Sequence, residues 1–281
     1  MSNAAVPSNG EDHASPPAPH RVRLSLHEGV ADVRLDRPEK HNGLDVAMID
    51  ALIAAAETIA ATPSVRVVVL SGEGASFCAG LDFPSFMADA ATLIPRFMDD
   101  MFGPANRAQH VSWAWHALRV PVIAALHGHV YGGGLQIALG ADIRLVHPQA
   151  RLSVMEIKWG LIPDMGFTQT VLRHVRPDIA KELAFTGRKV DAEEAVRIGL
   201  CTRVEADPLQ AAFALARDLA ARNPDAIRAD KALVNGAFGL DAPASFALEA
   251  RLQRALLGSP NQMEAVMANF EARPPRFTDP E

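Results

Sequence analysis

The stretch His127–Asp142, HGHVYGGGLQIALGAD, places three consecutive glycines, 132–134, before a helix-forming run. It follows an apolar run, 120–126, that predicts a buried strand. A strand, a glycine turn and a helix start leave free backbone N–H groups at a helix N-terminus, where negative charge is stabilised. Because glycine has no Cβ, the carbonyl of a ligand can approach this backbone closely. The alternative is a tight turn that serves packing alone.

A second glycine-bearing turn follows another predicted buried strand, Val65–Leu70. This turn is Ala75-Ser-Phe-Cys-Ala-Gly-Leu-Asp82. Ligands of α/β proteins bind at the carboxyl ends of the strands. One N–H group from each turn could therefore bind the same carbonyl oxygen, which is the arrangement of an oxyanion hole.

The order of predicted elements indicates an α/β core between residues 21 and 205. A hairpin at 21–35, a helix from Asp45 to about residue 62, and strands at 142–146 and 150–154 alternate in the manner of parallel βαβ units. Two helices are expected at 84–102 and 105–118. Residues 206–281 are predicted to form a C-terminal helical region of the same unit, and residues 1–20, rich in Pro, Ser, Asn and Ala, a disordered tail.

The composition argues against several classes of protein. The formal charge of −6 and the absence of a cluster of Lys and Arg argue against a nucleic-acid surface. Two cysteines are too few for a disulfide framework and fit a reducing compartment. The sequence has no apolar run that would span a bilayer and no secretory signal. We therefore expect a soluble, cytoplasmic protein without membrane or nucleic-acid partners.

Two carboxylates are candidates for proton transfer. Glu156 follows a predicted strand and has apolar neighbours, which would raise the pKa of its carboxyl toward neutrality. The alternative is a carboxylate satisfied by backbone N–H groups or by a salt bridge with Lys158 or Arg151. Asp164 follows a proline, where the common role of an aspartate is to cap a helix.

Motifs of several other classes are missing from the sequence. Ile137 stands at the third glycine position of a dinucleotide fingerprint, and no P-loop or G-x-S-x-G is present. No H-E-x-x-H or Cys/His cluster supports a metal site. We therefore expect no metal.

The combination of several motifs resembles the enoyl-CoA hydratase/isomerase, or crotonase, superfamily over roughly residues 21–277. The matching segments are Arg37-Pro-Glu-Lys-His-Asn42, Ser76-Phe-Cys-Ala-Gly-Leu-Asp82, Pro121-Val-Ile-Ala-Ala-Leu-His-Gly128, Gly132-Gly-Gly-Leu-Gln136, Ala141-Asp-Ile143, Met155-Glu156, Gly160-Leu-Ile-Pro163 and Arg273-Pro-Pro-Arg-Phe277. Each segment alone is weakly specific, but together and in this order they are highly specific.

The resemblance implies a crotonase-like ββα spiral core with a C-terminal helical region that makes trimer contacts, in a homotrimer or a dimer of trimers. It implies an acyl-CoA thioester as ligand and no separate cofactor, because coenzyme A is part of the substrate. The backbone N–H groups of Leu81 and Gly133 match the oxyanion-hole donors of the family. The other positions that match substrate- or CoA-binding segments are Arg37, Lys40, Asn42, Ala79, Gly80, Asp82, Gly132, Arg273, Arg276 and Phe277.

The resemblance also implies roles in catalysis. Hydratases of the family use two glutamates to hold the attacking water; Glu156 matches the second, whereas Gln136 stands at the first and cannot exchange a proton at neutral pH. Asp164 stands where dienoyl-CoA isomerases of the family have an aspartate that shuttles protons. We therefore slightly favour double-bond isomerisation, with Glu156 as acid and base, Asp164 as a second proton carrier or orienting group, and Gln136 positioning water or substrate.

Three alternatives remain open at the level of sequence. The chain could be an enoyl-CoA hydratase, or an acyl-CoA-binding homologue with reduced catalysis. Some relatives in the family bind RNA, but the negative charge argues against that function here. Residues 83–118 are expected to shape the acyl pocket, with Phe97, Phe102, Trp113 and Trp115 as the candidate lining residues.

Overall fold

A six-stranded sheet forms the centre of the computed structural model, which describes residues 20–280. The strand order is β1-β2-β3-β6-β8-β11, in which β1 and β2 form an antiparallel hairpin and all other neighbours are parallel. The predicted tail at 1–20 lies, apart from His20, outside the described residues. The α/β class and the hairpin agree with the sequence analysis.

The strands are β1 (Val22–His27), β2 (Val30–Leu35), β3 (Val67–Gly72), β4 (Met101–Phe102), β5 (Ala105–Asn106), β6 (Val122–Leu126), β7 (His129–Tyr131), β8 (Ile143–Val146), β9 (Arg151–Ser153), β10 (Val190–Asp191) and β11 (Arg203–Val204).

The helices are α1 (Val46–Ala60), α2 (Phe83–Ala88), α3 (Ala90–Asp99), α4 (Arg107–Ala117), α5 (Gly133–Leu139), α6 (Phe167–Val171), α7 (Pro177–Thr186), α8 (Ala192–Arg197), α9 (Pro208–Ala220), α10 (Pro224–Ala237), α11 (Ala242–Leu256) and α12 (Pro260–Phe270). Two short 3-10 helices cover Pro38–Lys40 and Glu156–Trp159.

Strand β6 and residues 67–70 of β3 are apolar because both faces of the sheet are covered. In β3, Val68 and Leu70 belong to the larger core, which also contains residues of α1 and α4. Val67 and Val69, which alternate with them, pack in a second core with alanines of α9. Alternate side chains of a strand point to opposite faces, so an uninterrupted apolar run is what a strand between two helical layers requires.

A second, three-stranded sheet separates the glycine turn at 132–134 from the central sheet. Strand β7 lies between β6 and the glycines 132–134, and it pairs with β9 and not with the central sheet. The expectation that this turn directly ends the buried strand 120–126 was therefore wrong. The chain leaves the central sheet at Gly128, whose φ of 57° suits glycine.

The predicted helix at 84–102 is divided in the structure. Asp89, with φ −140° and ψ 37°, is outside the helical region and separates α2 from α3. A two-residue hairpin, β4 and β5, then precedes α4, with Gly103 at φ 62° in its turn. Gly103 and Pro104 lie between the two predicted helices, and the left-handed glycine allows the chain to reverse there into a hairpin.

Of the C-terminal helices, α9 packs directly on the central sheet, against β3, β6 and β8. Helix α9 follows the predicted boundary at 205/206 but shares a core with strands that precede this boundary. The division of the chain at this point stays a prediction. Helices α10 and α11 pack on each other. Among residues 20–280, no helix is both long and apolar enough to cross a membrane.

A buried lysine of α10 ties this helix to the amino ends of the central strands. The side chain of Lys231 is 7% exposed; its ammonium group donates to Asp142 Oδ2 at 2.8 Å and to the Val120 carbonyl at 2.9 Å. Asp142 also accepts from the backbone N–H of Val122 at 2.7 Å.

We expect Lys231→Met to lower the free energy of unfolding by about 2–4 kcal/mol, because it leaves a partly buried carboxylate and a carbonyl without their cationic partner. The measurement is urea denaturation at matched protein concentration. The exposed Lys181→Met is the control and should change stability by less than about 0.5 kcal/mol. Equal stability of the two variants would contradict the structural role of Lys231.

Candidate functional site

The two glycine turns lie against each other. The backbone N–H of Cys78 donates to the His129 carbonyl at 3.0 Å, and that of Tyr131 donates to the Cys78 carbonyl at 3.0 Å. A Cβ at Gly80 would stand 2.8 Å from the Tyr131 carbonyl oxygen and 3.7 Å from the Cα of Gly132. Any residue larger than glycine would therefore separate the turns.

Leu81 and Gly133, the predicted oxyanion donors, are on these adjoining turns. The hydrogen bonds from Leu44 N–H to the Gly80 carbonyl, 2.8 Å, and from Asp82 N–H to the Leu44 carbonyl, 2.9 Å, fix the backbone on both sides of Leu81. Gly133 is the first residue of α5, where an N–H group has no partner within the helix. Within residues 20–280, neither N–H group has a hydrogen-bond acceptor. Both donors are available to a ligand oxygen.

Glu156 and Gln136 are paired beside the glycine turn. Gln136 is buried in α5, and its Nε2 donates to Glu156 Oε1 at 2.6 Å. Its Oε1 accepts the backbone N–H of Met165 at 2.8 Å. A Cβ at Gly132 would stand 3.3 Å from Glu156 Oε1, so the carboxylate lies next to the turn. The amide thus fixes one oxygen of the carboxylate.

The other oxygen of Glu156, Oε2, is buried and has no hydrogen-bond partner among the described residues. Burial raises the pKa of this carboxyl, and the nearby negative charge of Asp164 raises it further, while the hydrogen bond from Gln136 lowers it. Among the described residues, no salt bridge joins Glu156 to Lys158 or Arg151, which was one form of the alternative. The other form, stabilisation by backbone N–H groups, applies in part, because the N–H groups of Glu156 and Met155 also lower the pKa of this carboxyl. A carboxylate with one fixed and one free oxygen is suited to accept a proton.

Asp164 lies close enough to Glu156 to affect its titration. Partial desolvation raises the pKa of the Asp164 carboxyl, although the side chain reaches solvent. The alternative role as a helix cap does not apply, because Gly166 is the N-cap of α6. The structure therefore brings Gln136, Glu156 and Asp164 together.

Hydrogen bonds of buried side chains fix the conformation of the predicted CoA-binding loop. Arg37 is buried, and its Nη1 donates to Asp82 Oδ2 at 2.7 Å and to the Gly43 carbonyl at 3.0 Å. Asn42 accepts the Arg37 backbone N–H at 2.7 Å and donates to the carbonyls of Glu73 and Ser76. The side chains of Arg37, Asn42 and Asp82 thus organise the loop and the Leu81 turn.

Ala79 and Lys40 are two further residues that were predicted to bind CoA. Ala79 donates its N–H to the His41 carbonyl at 2.9 Å, which links the loop to the turn. Lys40 is exposed at the end of the first 3-10 helix. Of the charged side chains in the loop that were assigned to CoA, Lys40 is the one that the structure leaves accessible; a contact with CoA stays a prediction.

The C-terminal residues lie elsewhere in this chain. The Phe277 carbonyl accepts from Arg66 Nη2 at 3.1 Å, and Arg66 directly precedes β3. The glycine turn follows the other end of that six-residue strand, roughly 15–20 Å away. Arg273 is paired with Glu264 and Glu271. The structure therefore does not bring Arg273, Arg276 and Phe277 to the site within one chain.

An apolar cavity of about 230 Å³ adjoins the Leu81 turn. Its apolar lining residues are Leu44, Val46, Ala47, Leu81, Phe86, Leu93 and Phe97. Phe97 was expected there, but Trp115 is fully buried in the core and Phe102 stacks on His110 at 4.4 Å. Trp113 lines a different cavity near Lys231.

Met165 is a residue of the site that sequence reasoning missed. Besides its N–H bond to Gln136, its sulfur would stand 2.7 Å from a Cβ at Gly133. A methionine is ordinarily assigned to the core, and a hydrogen bond from its backbone N–H cannot be predicted from the residue type. No pattern in the sequence could have identified it.

Comparison with known proteins gives a consistent result. A family model described as enoyl-CoA hydratase/isomerase matches residues 25–280. A probable enoyl-CoA hydratase of Rhodobacter capsulatus is 34% identical over 261 residues, covering 92% of this chain and 98% of that protein. The human mitochondrial methylglutaconyl-CoA hydratase is 30% identical over 266 residues, covering 92% of this chain and 76% of that protein.

Solved structures match over the same region. The crystal structure of an enoyl-CoA hydratase of Mycobacterium smegmatis aligns with a TM-score of 0.80 at 29% identity, covering 91% of this chain and 98% of that one. An enoyl-CoA hydratase of Mycobacterium tuberculosis aligns with a TM-score of 0.82 at 26% identity, covering 92% of this chain and 99% of that one.

We expect Gln136→Leu to raise the pKa of Glu156, because it removes a hydrogen bond that favours the charged carboxylate. Carboxyl titration by NMR of protein labelled in its glutamates measures this shift, with Glu156→Gln identifying the signal. The exposed Gln149→Leu is the control and should leave the titration unchanged. A pKa that stays constant or falls in Gln136→Leu would contradict the pairing.

Proposed function

Because the chain belongs to the enoyl-CoA hydratase/isomerase (crotonase) family, we propose that it converts enoyl-CoA thioesters by proton transfer at Glu156. The crotonase-like fold expected from the sequence is confirmed by the solved structures that align with it. The observation that supports the proposal most is the buried Oε2 of Glu156, which, like the N–H groups of Leu81 and Gly133, has no hydrogen-bond partner in the part of the chain that the structure describes.

The proposed first step is capture of the thioester oxygen by the N–H groups of Leu81 and Gly133. Negative charge grows on this oxygen as the thioester becomes an enolate, and two donors fixed in advance stabilise it without reorganisation. Removing one donor from such a site typically costs about a hundred- to a thousandfold in rate. Glycine at 80 is required because a Cβ there would stand 2.8 Å from the Tyr131 carbonyl oxygen, whereas a Cβ at 133 would have to displace the side chains of Met165 and Leu44.

Glu156 then exchanges a proton through Oε2. Its raised pKa brings the carboxyl closer to neutral pH, where the same group can accept a proton in one step and return it in the next. Gln136 acts as a positioning residue, because its amide bridges Glu156 Oε1 and the Met165 N–H.

Hydration of a 2-enoyl-CoA is the reaction that we put first. The relatives are named hydratases, which favours hydration over the isomerisation slightly preferred from the sequence. In this proposal Glu156 Oε2 accepts a proton from the attacking water, and the polar groups of Gln136 and Asp164 beside it offer a second contact.

Isomerisation of the double bond is the second candidate. The observation that favours it is Gln136, which provides no second titratable group next to Glu156. Asp164, whose pKa is raised and whose charge acts on Glu156, would then relay the proton between two carbons. Binding of acyl-CoA without turnover is the outcome expected if neither reaction occurs.

We also propose that the active protein is a trimer or a dimer of trimers. Large apolar side chains of the C-terminal helices, among them Phe246 at 66% and Phe270 at 82% exposure, support an interface there. Since Arg273, Arg276 and Phe277 lie far from the site of their own chain, a role in CoA binding would require the site of another copy.

We expect Glu156→Gln to lower kcat/KM by about a hundred- to ten-thousandfold, because the amide cannot accept the proton. Products from 2-enoyl-, 3-enoyl- and 3,5-dienoyl-CoA are followed by mass and ultraviolet absorption: addition of water marks hydration, and an isobaric product marks isomerisation. The exposed Glu193→Gln is the matched control. Full activity of Glu156→Gln would exclude the proposed role.

We expect Asp164→Asn to extend activity to lower pH. Glu156 must be ionised to accept a proton, so kcat/KM falls as pH falls through its pKa; removing a nearby negative charge lowers that pKa. The measurement is the pH profile of kcat/KM. A large loss at every pH for isomerisation, with hydration retained, would identify Asp164 as a proton relay. An acid limb that moves to higher pH would contradict the electrostatic argument.

A further inference from the structure

An aromatic pair bridges the two walls of the site. The rings of Phe83 and Trp159 are stacked, with centroids 4.1 Å apart and planes 21° from parallel. Phe83 is the first residue of α2, two positions after the Leu81 donor. Trp159 ends the 3-10 helix that begins with Glu156. The pair thus connects the wall with the N–H donor to the wall with the carboxylate.

The 3-10 geometry sets the position of Trp159 relative to Glu156. In a 3-10 helix, side chains three positions apart are eclipsed and rise about 6 Å along the axis. Glu156 and Trp159 therefore share one face of the turn. A thioester with its oxygen at Leu81 and its reacting carbons at Glu156 has this stack close to the start of its acyl chain.

The stacked rings leave no space between them, because 4.1 Å is a contact distance for aromatic rings. The cavity of about 230 Å³, which is lined by Leu44, Leu81 and Phe86, offers an alternative path for the acyl chain. Among the cavity's lining side chains, Asp45 is ionically paired with Arg21 at 2.8 Å, so its charge is compensated.

We propose that the Phe83–Trp159 stack is a specificity-determining wall that directs an uncharged, aliphatic acyl chain into this cavity and limits its length. The inference rests on the proposed function, since it assumes an acyl-CoA ligand. Trp159 is 50% exposed, and its ring also lies 5.1 Å from the ammonium group of Lys158. The stack and this cation hold a large side chain at the mouth of the site, where packing in the core does not require it.

The test measures binding, so that it does not depend on proton transfer. Dissociation constants are determined by calorimetry for the saturated butyryl-, hexanoyl-, octanoyl-, decanoyl- and dodecanoyl-CoA thioesters. In the wild-type chain, affinity should rise by up to about fourfold per added methylene while the chain fills the cavity, and should then level off or fall.

Three variants test the wall. Trp159→Ala should raise the affinity for dodecanoyl-CoA relative to octanoyl-CoA by about tenfold or more, since further methylenes are then buried, with butyryl-CoA little changed. Trp159→Phe should retain the wild-type dependence on length, because a ring still stacks on Phe83. Ala47→Phe, which fills the cavity from an exposed position, should weaken the binding of octanoyl-CoA and leave the binding of butyryl-CoA unchanged. Trp113→Ala, far from the site, is the control.

The outcomes distinguish failure of the proposed function from failure of the role assigned to the Phe83–Trp159 stack. If the wild-type chain binds none of the acyl-CoA thioesters, the proposed function itself is wrong. If it binds them but Trp159→Ala weakens every length equally, or all variants share one dependence on length, the stack has a structural role alone and the inference is overturned. A change confined to the long chains in Trp159→Ala, absent in Trp159→Phe, is the expected result.

Discussion

Backbone hydrogen bonds between residues 77–78 and 127–131 are the constraint on which the site depends. Phe77 and Cys78 donate to carbonyls at His127 and His129, and Tyr131 donates back to Cys78. These bonds join a segment that leaves the central sheet after β3 to one that leaves it after β6. Because the two glycine turns continue from these segments, their N–H groups are brought together by the same bonds.

Close approach of the turns demands glycine at particular positions. A Cβ at Gly134 would stand 2.6 Å from the Cys78 carbonyl, and one at Gly133 would stand 2.7 Å from the Met165 sulfur. Burial also raises the pKa of the Glu156 carboxyl, which lies against the same turn, since a Cβ at Gly132 would stand 3.3 Å from its Oε1.

Gln136 has a larger structural role than its position in the family motif implies. It is buried, it donates to Glu156, and it accepts from a backbone N–H on the loop that follows Asp164. A glutamate at this position would oppose a second carboxylate at 2.6 Å and would share a proton with it. The amide makes the opposite contact, since it stabilises the charged form of Glu156.

The sequence by itself determined the elements and the residue types of the site. Apolar runs, alternating hairpin strands and an aspartate at the start of α1 depend on neighbours within a few residues, so their consequences are local and readable. The glycine turns and Glu156 could also be identified, since their chemistry follows from residue type and the preceding strand. The same logic failed at β7 and at β4–β5, where the chain pairs with distant or very short segments.

Tertiary structure decided which of these residues meet. Arg37 was assigned to CoA from its motif, but it is buried against Asp82, which no local pattern reveals. Phe277 lies at the far end of β3 because Arg66 binds its carbonyl. The contact between Phe83 and Trp159, and the hydrogen bond from Gln136 to Glu156, likewise join elements far apart in the chain. Burial and hydrogen-bond partners are properties of the packed chain, and residue order alone does not contain them.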